Sequence, residues 1–129
     1  MGEIRIKIGK ITERLGSSEE EHNMSTLVIK GQKLASVSDK DYCFLNAPTP
    51  YRWYSKLWLY KADSGKYIVV RETWCQQGCN IHDVIEKERD YRTYSNEEDL
   101  IDALSGTSLW EKLLKNAGFK PKKKEIRIE

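Results

Sequence analysis

The fold is decided by the stretch Lys56–Trp74, which reads KLWLYKADSGKYIVVRETW. Residues up to Ala62 predict a strand, Asp63-Ser64-Gly65 is typical of a tight turn, and Tyr67–Trp74 predicts the returning strand. Because successive side chains of a strand point to opposite faces, this hairpin carries bulky groups on both faces. The first strand has Leu57 and Leu59 on one face and Trp58 and Tyr60 on the other.

The segments before the hairpin also favour strands. Ile4, Ile6 and Ile8 alternate with other residues, which predicts a strand with one buried face. Residues 12–23 contain glycine, serine and three consecutive glutamates, and we interpret them as a solvated loop. Residues 24–37 are rich in β-branched side chains, and Gly31 within them indicates either a hairpin turn or a bulged strand.

The segment after the hairpin has an ambiguous pattern. Ile81, Val84 and Ile85 fit one face of a helix, whereas the aromatic and β-branched residues near Tyr94 favour a strand. We favour a strand over residues 83–94, as the third leg of a meander. Residues 124–129 predict a short last strand, with Ile126 and Ile128 on one side.

Two helices are predicted near the C-terminus. Ser95 with Glu98, and Ser108 with Glu111, have the spacing of capping boxes, each followed by an amphipathic run. Grouping strands before helices is typical of α+β proteins. We therefore predict a single α+β domain over residues 1–129. Its antiparallel sheet has about five strands and is covered on one face by the two C-terminal helices.

Composition narrows the functional class only slightly. Charged residues make up 33% of the 129 residues, but the formal net charge is only +2, too small by itself to indicate a nucleic-acid partner. We recognise no signal peptide, and the apolar run Tyr67–Val70 is far shorter than a membrane span. Three cysteines, an odd number, favour a reducing compartment. We expect a cytoplasmic protein with no membrane partner.

The segment Cys75–His82 contains the candidate metal ligands Cys75, Cys79 and His82. Thiolate and imidazole are zinc ligands, but a structural zinc site takes four ligands, usually with two residues between paired cysteines. Here three residues separate them. Cys79 and His82 are three residues apart, so a helix could place them side by side as a thiol nucleophile and its base, but no catalytic motif surrounds them. The alternative is a turn whose cysteines pack as small apolar groups. We expect no cofactor, no metal and no enzymatic activity.

The aromatic segment 51–61 is the strongest candidate for a binding surface. Both faces of its strand are bulky, and a helix layer covers only one of them, so the other needs a cover or a partner. Tyrosine and tryptophan are common anchors in protein interfaces, and they also stack on nucleic-acid bases. The alternative is that these aromatic residues belong to the core. The candidate residues here are Tyr51, Arg52, Trp53, Tyr54, Trp58 and Tyr60.

A lysine patch, residues 120–124, is the second candidate surface, and its candidate residues are Lys122, Lys123 and Lys124. Lysines attract any polyanion, although a patch of this kind is also typical of a solvated linker. We therefore predict a small non-enzymatic adaptor or inhibitor that binds a protein partner through the aromatic-rich surface, with the segment 51–54 treated as a loop. The alternative is a nucleic-acid or nucleotide-binding protein that uses segment 51–61 and the lysine patch.

Overall fold

The computed structural model of the chain describes residues 2–14, 20–43, 51–77, 84–123 and 128. Strands come first and helices last, which confirms the predicted α+β class with an antiparallel sheet and two C-terminal helices. The elements in chain order are β1 (Glu3–Arg14), β2 (Glu20–Cys43), β3 (Tyr51–Ala62), β4 (Tyr67–Gln77), β5 (Val84–Tyr94), α1 (Glu97–Leu104) and α2 (Ser108–Asn116).

The five strands form a closed antiparallel barrel in the order β1-β2-β3-β4-β5. Each strand pairs with the next one in the chain, and β5 returns to pair with β1. Closure gives the sheet an inside and an outside. The second bulky face of the β3–β4 hairpin is therefore covered by the barrel itself, an answer that the sequence did not indicate.

The hydrophobic residues divide into two clusters on opposite faces of the sheet. The outer core joins β2, β3 and β4 to the helices, and its fully buried leucines each contribute about 1.5–3 kcal/mol. The inner core fills the barrel. The buried outer-core residues are Ala35, Val37, Leu57, Leu59, Tyr67, Val69, Leu100, Leu104, Leu113 and Leu114. The inner core comprises Ile29, Tyr60, Ile68 and Val70, with Ile4, Ile6, Ile8, Leu27, Trp58 and Ala62 packed against them.

Strand β2 is long because it changes partners along its length. Residues 20–30 pair with β1, and residues 31–43 pair with β3. The change occurs at Gly31, opposite Ala62, where a Cβ atom would lie 2.1 Å from the carbonyl oxygen of Lys61. Gly31 thus lies inside a strand and allows a close approach of two backbones. The irregularity in the pairing comes slightly later, between Lys33 and Ala35.

Two other boundaries differ from the sequence-based expectations. The loop predicted over residues 12–23 is wrong at both ends, because β1 continues to Arg14 and β2 begins at Glu20. The hairpin turn is confirmed, with Gly65 at φ 96°. Residues 84–94 form a strand, as favoured. The strand predicted over residues 124–129 lies outside the described residues, apart from Ile128.

The helices begin one residue away from the predicted capping boxes. Asn96, not Ser95, caps α1, and its Oδ1 atom accepts a hydrogen bond from the backbone N–H of Asp99 at 2.8 Å. Thr107 precedes α2 without a side-chain cap hydrogen bond. In the described part of the chain, no helix has the length and apolar character needed to cross a membrane.

Candidate functional site

The barrel wall has a gap between β1 and β5, which we call the wall gap. Strand β5 pairs with β1 only through residues 84–89, which face residues 9–14. Before Gly9 the register of β1 shifts, and residues 3–8 pair with β2 alone. After Arg89, β5 pairs with β4 alone. Among the described residues, no strand pairing therefore joins residues 3–8 to residues 90–94.

A cavity of about 310 Å³ lies beside the wall gap, and we call it the barrel pocket. This volume is at the lower end of the range for small-molecule sites, about 300–1,000 Å³. Four of the five strands contribute to its lining. The lining residues are Arg5, Ile6, Lys7, Trp58, Tyr60, Val70 and Arg89, which combine three cationic side chains with two aromatic rings.

Arg89 is held in the pocket wall by a buried carboxylate. Its Nε atom donates to Oε2 of Glu72 at 2.6 Å, and Glu72 is 5% exposed. Glu72 follows Ile68 and Val70 on the inner face of β4, and its backbone partners are Lys56 on β3 and Arg89 on β5. An acid in this apolar environment needs such partners, because an unpaired buried charge is costly.

The pairing leaves part of the Arg89 side chain available. A guanidinium group presents several N–H donors in a planar fork that fits carboxylate and phosphate groups. The bond to Glu72 uses the Nε side of the fork. In the described part of the chain, the structure shows no hydrogen bond from the two terminal nitrogens. Arg89 is therefore oriented by Glu72 and retains donors for an anionic group.

The two rings of the pocket belong to the inner core. Trp58 is partly exposed, and the Lys56 ammonium lies 4.9 Å from its ring centroid. Tyr60 is 7% exposed, so its predicted place on an exposed surface is wrong, although it does line the pocket. Burial raises the pKa of the Tyr60 hydroxyl, and the charge of Arg89 lowers it by less. At neutral pH the hydroxyl is therefore a neutral donor that adds no negative charge.

Arg5 and Lys7 form the β1 side of the pocket rim. They alternate with the inward-facing Ile4, Ile6 and Ile8, as the sequence indicated. Arg5 pairs with Glu3 at 2.6 Å, but its side chain is 69% exposed. Exposed ion pairs of this kind contribute little, about 0–1 kcal/mol. Solvent and an incoming anion can therefore compete with Glu3 for the Arg5 guanidinium.

The predicted surface residues Tyr51, Arg52, Trp53 and Tyr54 form the first part of β3 and are not a loop. They pair with residues 40–43 of β2 and with residues 74–77 of β4. This corrects the loop interpretation. Backbone hydrogen bonding on both sides fixes these positions in the middle of the sheet.

The lysine patch is tied to the end of α1. The Nζ atom of Lys122 lies 2.6 Å from Oδ1 of Asp102, and its backbone N–H donates to Oγ of Ser105 at 2.9 Å. The hydrogen bond to Asp102 raises the pKa of the Lys122 ammonium. Lys123 is exposed, and Lys124 lies outside the described residues. The described residues of the patch, up to Lys123, do not line the barrel pocket.

Of the cysteine and histidine candidates, only Cys75 lies within the described residues. Cys75 lies on β4 between Trp53 and Glu86 in register, whereas Cys79 and His82 fall outside the described residues. Among the residues that are described, no group of three or more histidine, cysteine, aspartate or glutamate side chains is placed to hold a metal ion.

A second cavity, of about 440 Å³, lies between β2 and α2. Its lining mixes acidic and basic groups and includes no aromatic ring among the described residues. Such a surface favours no particular ligand. The lining residues are Ser38, Asp39, Ser108, Leu109, Glu111, Lys112 and Lys115.

The three cationic residues of the pocket, Arg5, Lys7 and Arg89, were not among the candidates predicted from the sequence. Arg5 and Lys7 looked like the solvent face of a strand, and Arg89 lay in the ambiguous segment. One signal was present. Glu72 follows Ile68 and Val70 in the alternating, inward-facing positions of β4, and a carboxylate there needs a basic partner on a neighbouring strand.

Comparisons of the chain with protein-family models, with curated proteins and with solved structures give no match. The functional interpretation therefore depends on the geometry and charge of the site itself.

Proposed function

We propose that this chain is a non-enzymatic binding protein whose ligand is a nucleotide unit, with a phosphate and a planar base, held in the barrel pocket. The observation that carries this proposal is the lining of the pocket, where three cations surround two aromatic rings. This is the nucleic-acid or nucleotide alternative of the sequence analysis, moved from segment 51–61 and the lysine patch to a defined cavity.

The cations support the phosphate part of the ligand. Arg89 is already oriented by Glu72, so little conformational entropy is lost when its remaining donors bind an anion. Lys7 and Arg5 add positive charge from the β1 side of the pocket. Hydrogen bonds to charged groups contribute about 1.5–3 kcal/mol, which is enough to dominate the affinity of a small ligand.

The rings support the base part of the ligand. Stacking of a base on an aromatic side chain contributes about 1–3 kcal/mol. Trp58 is the partly exposed ring of the pocket, and the buried Tyr60 brings a hydroxyl donor to its lining. A volume of about 310 Å³ suits one base-sized group and not an extended protein loop.

The protein-partner function has less support from the same geometry. It rests on an aromatic-rich open face of the sheet or on segment 51–54, but Tyr60 is buried and Trp58 packs against the inner core. Segment 51–54 is part of the paired strand β3, so it does not support protein binding through a loop. Protein binding is therefore the alternative proposal to nucleotide binding.

Calorimetric titration with a nucleoside monophosphate and with a short single-stranded oligonucleotide tests the proposal. We expect saturable binding that Arg89→Lys weakens about tenfold or more, because lysine keeps the charge but loses the fork. Arg71→Lys is the matched control. Arg71 also forms a 2.6 Å pair between β4 and β5, with Asp90, but it does not line the pocket.

Trp58→Leu should weaken binding by a similar factor, through loss of stacking. Trp110→Leu is its control, because Trp110 packs in the outer core. Absence of saturable binding of both ligands at millimolar concentration would overturn the proposal. Equal effects of the pocket variants and their controls would also count against it.

A further inference from the structure

We propose that the nucleotide enters the pocket as part of a single-stranded nucleic acid, whose backbone continues across the outer face of the β1–β2 hairpin. This inference rests on the proposed function and names the source of the ligand. It differs from that function in one respect: the binding surface extends beyond the pocket, and a free mononucleotide cannot use all of it.

The extension is a row of cations that begins at the pocket rim. Arg5 and Lys7 point to the same side of β1 and are separated by two residues, about 6.6 Å along the strand. This separation is comparable with one step of an extended nucleotide chain. Lys30 continues the row on β2, where its backbone partner is Glu3. We call these three residues, Arg5, Lys7 and Lys30, the basic track.

The basic track is open to solvent. The helices pack against the part of the sheet formed by the second half of β2, with β3 and β4, and so cover a different region. Lys30 is exposed, and Val28, which pairs with Arg5, is 45% exposed. An exposed valine between cations offers an apolar contact to a sugar or a base. Glu3, the register partner of Lys30, forms an ion pair with the highly exposed Arg5.

Continuity between the pocket and the track favours a polymer. Arg5 and Lys7 belong to both, whereas Lys30 does not line the pocket. A mononucleotide with its base between Trp58 and Arg89 therefore leaves Lys30 unused. A second phosphate along the same strand would pass over Arg5 and Lys7 towards it.

The pocket also favours a single strand over a duplex. Bases within a duplex are stacked and paired, so one of them would have to be extruded before it could enter. Bases of a single strand are accessible to stacking on aromatic side chains without that cost. The basic track contains no element that reads base edges, so we expect weak sequence preference.

The test measures dissociation constants for thymidine monophosphate, for oligothymidylates of about two, four and eight nucleotides, and for a duplex of the longest length. We expect affinity to rise with length to about four nucleotides and to be weaker for the duplex. Three phosphate contacts predict a slope of log affinity against log salt of about −2, or about a 20-fold loss between about 50 and 200 mM salt.

Lys30→Gln should reduce the magnitude of this slope by about 0.7 and lower the affinity of the tetranucleotide. Lys66→Gln is the control, because Lys66 is an exposed lysine next to the β3–β4 turn. Equal affinities for the mononucleotide and all oligomers, with the salt slope unaffected by Lys30→Gln, would overturn this inference and leave the proposed function standing. Failure of every nucleotide to bind would overturn both.

Discussion

The Nε atom of Arg89 lies 2.6 Å from Oε2 of Glu72, inside a barrel whose other inward-facing residues are mostly apolar. One register position away, Arg71 makes an ion pair of the same length with Asp90 on the outer face of the same two strands. The two pairs differ mainly in burial. The Glu72 side chain is 6% exposed, whereas the Asp90 side chain is 46% exposed. We therefore expect the buried Glu72–Arg89 pair to contribute more to stability than the solvent-exposed Arg71–Asp90 pair.

We predict that Glu72→Gln lowers the free energy of unfolding by about 1–3 kcal/mol. Glutamine keeps the shape and one acceptor oxygen but loses the charge-assisted bond, and it leaves Arg89 without its counter-ion. Asp90→Asn removes the same charge from the solvated pair and should cost at most about 1 kcal/mol. Denaturant titration of both variants measures the two effects. Equal losses for the two would show that burial of Glu72 has no energetic importance.

The sheet and the helices could be predicted from the sequence because their signals are local. Alternation along Leu57–Tyr60, the turn before Gly65 and the amphipathic runs of the helices each depend on neighbours within a few residues. Closure of the barrel could not be predicted, because it depends on the pairing of β1 with β5, whose residues are far apart in the chain. The two bulky faces of β3 indicated that the face away from the helices needs a cover, but they did not indicate that the closed barrel provides it.

The candidate site could be predicted only in part, for the same reason. The sequence predicts Trp58 and Tyr60 on a binding surface for a protein or, alternatively, a nucleic acid or nucleotide, and both line the barrel pocket. The cationic residues beside them come from β1 and β5. Neither of these strands pairs with β3, and barrel closure brings them to the same pocket. A cation on the solvent face of a strand, such as Lys7, gives no local sign that a cavity lies beside it.

The stability of the protein should fall more steeply at alkaline pH because of Tyr60. Burial raises its pKa above the ordinary value of 10.0 in the folded state. From pH about 10 upward, the unfolded chain therefore releases this proton while the folded protein keeps it, which favours unfolding as the pH rises towards the folded pKa. Below pH about 10 this tyrosine makes no pH-dependent contribution.

Tyr60→Phe removes this titration, so the variant should lose less stability than the original protein between pH about 9 and 11. The measurement is denaturant unfolding of both proteins across that range, with the values at neutral pH as the baseline for lost packing or hydrogen bonding. Parallel pH profiles of the two proteins would refute the assignment of a raised pKa to this residue.

The N-caps of the two helices provide a matched pair of substitutions. Asn96→Ala removes the hydrogen bond from the Asp99 N–H to the Asn96 side chain and should cost about 1 kcal/mol of unfolding free energy. Thr107→Ala alters the corresponding position of α2, where the side chain makes no cap bond, and should change stability by less than about 0.5 kcal/mol. Thermal unfolding of both variants measures these two losses of stability. A larger effect at Thr107 would contradict the capping geometry.

Gly31→Ala tests the position at which the pairing of β2 passes from β1 to β3. The added methyl group would lie 2.1 Å from the Lys61 carbonyl oxygen and 2.8 Å from the Ala62 Cα atom, so the backbones of β2 and β3 must separate. We expect a loss of about 1–3 kcal/mol in unfolding free energy, or failure to fold, because the obstructing atoms are backbone and cannot rotate away. Gly2→Ala is the control, since nothing lies within 4 Å of its new methyl group. Denaturant unfolding that gave Gly31→Ala the stability of this control would mean that the two strands do not approach as closely as the barrel requires.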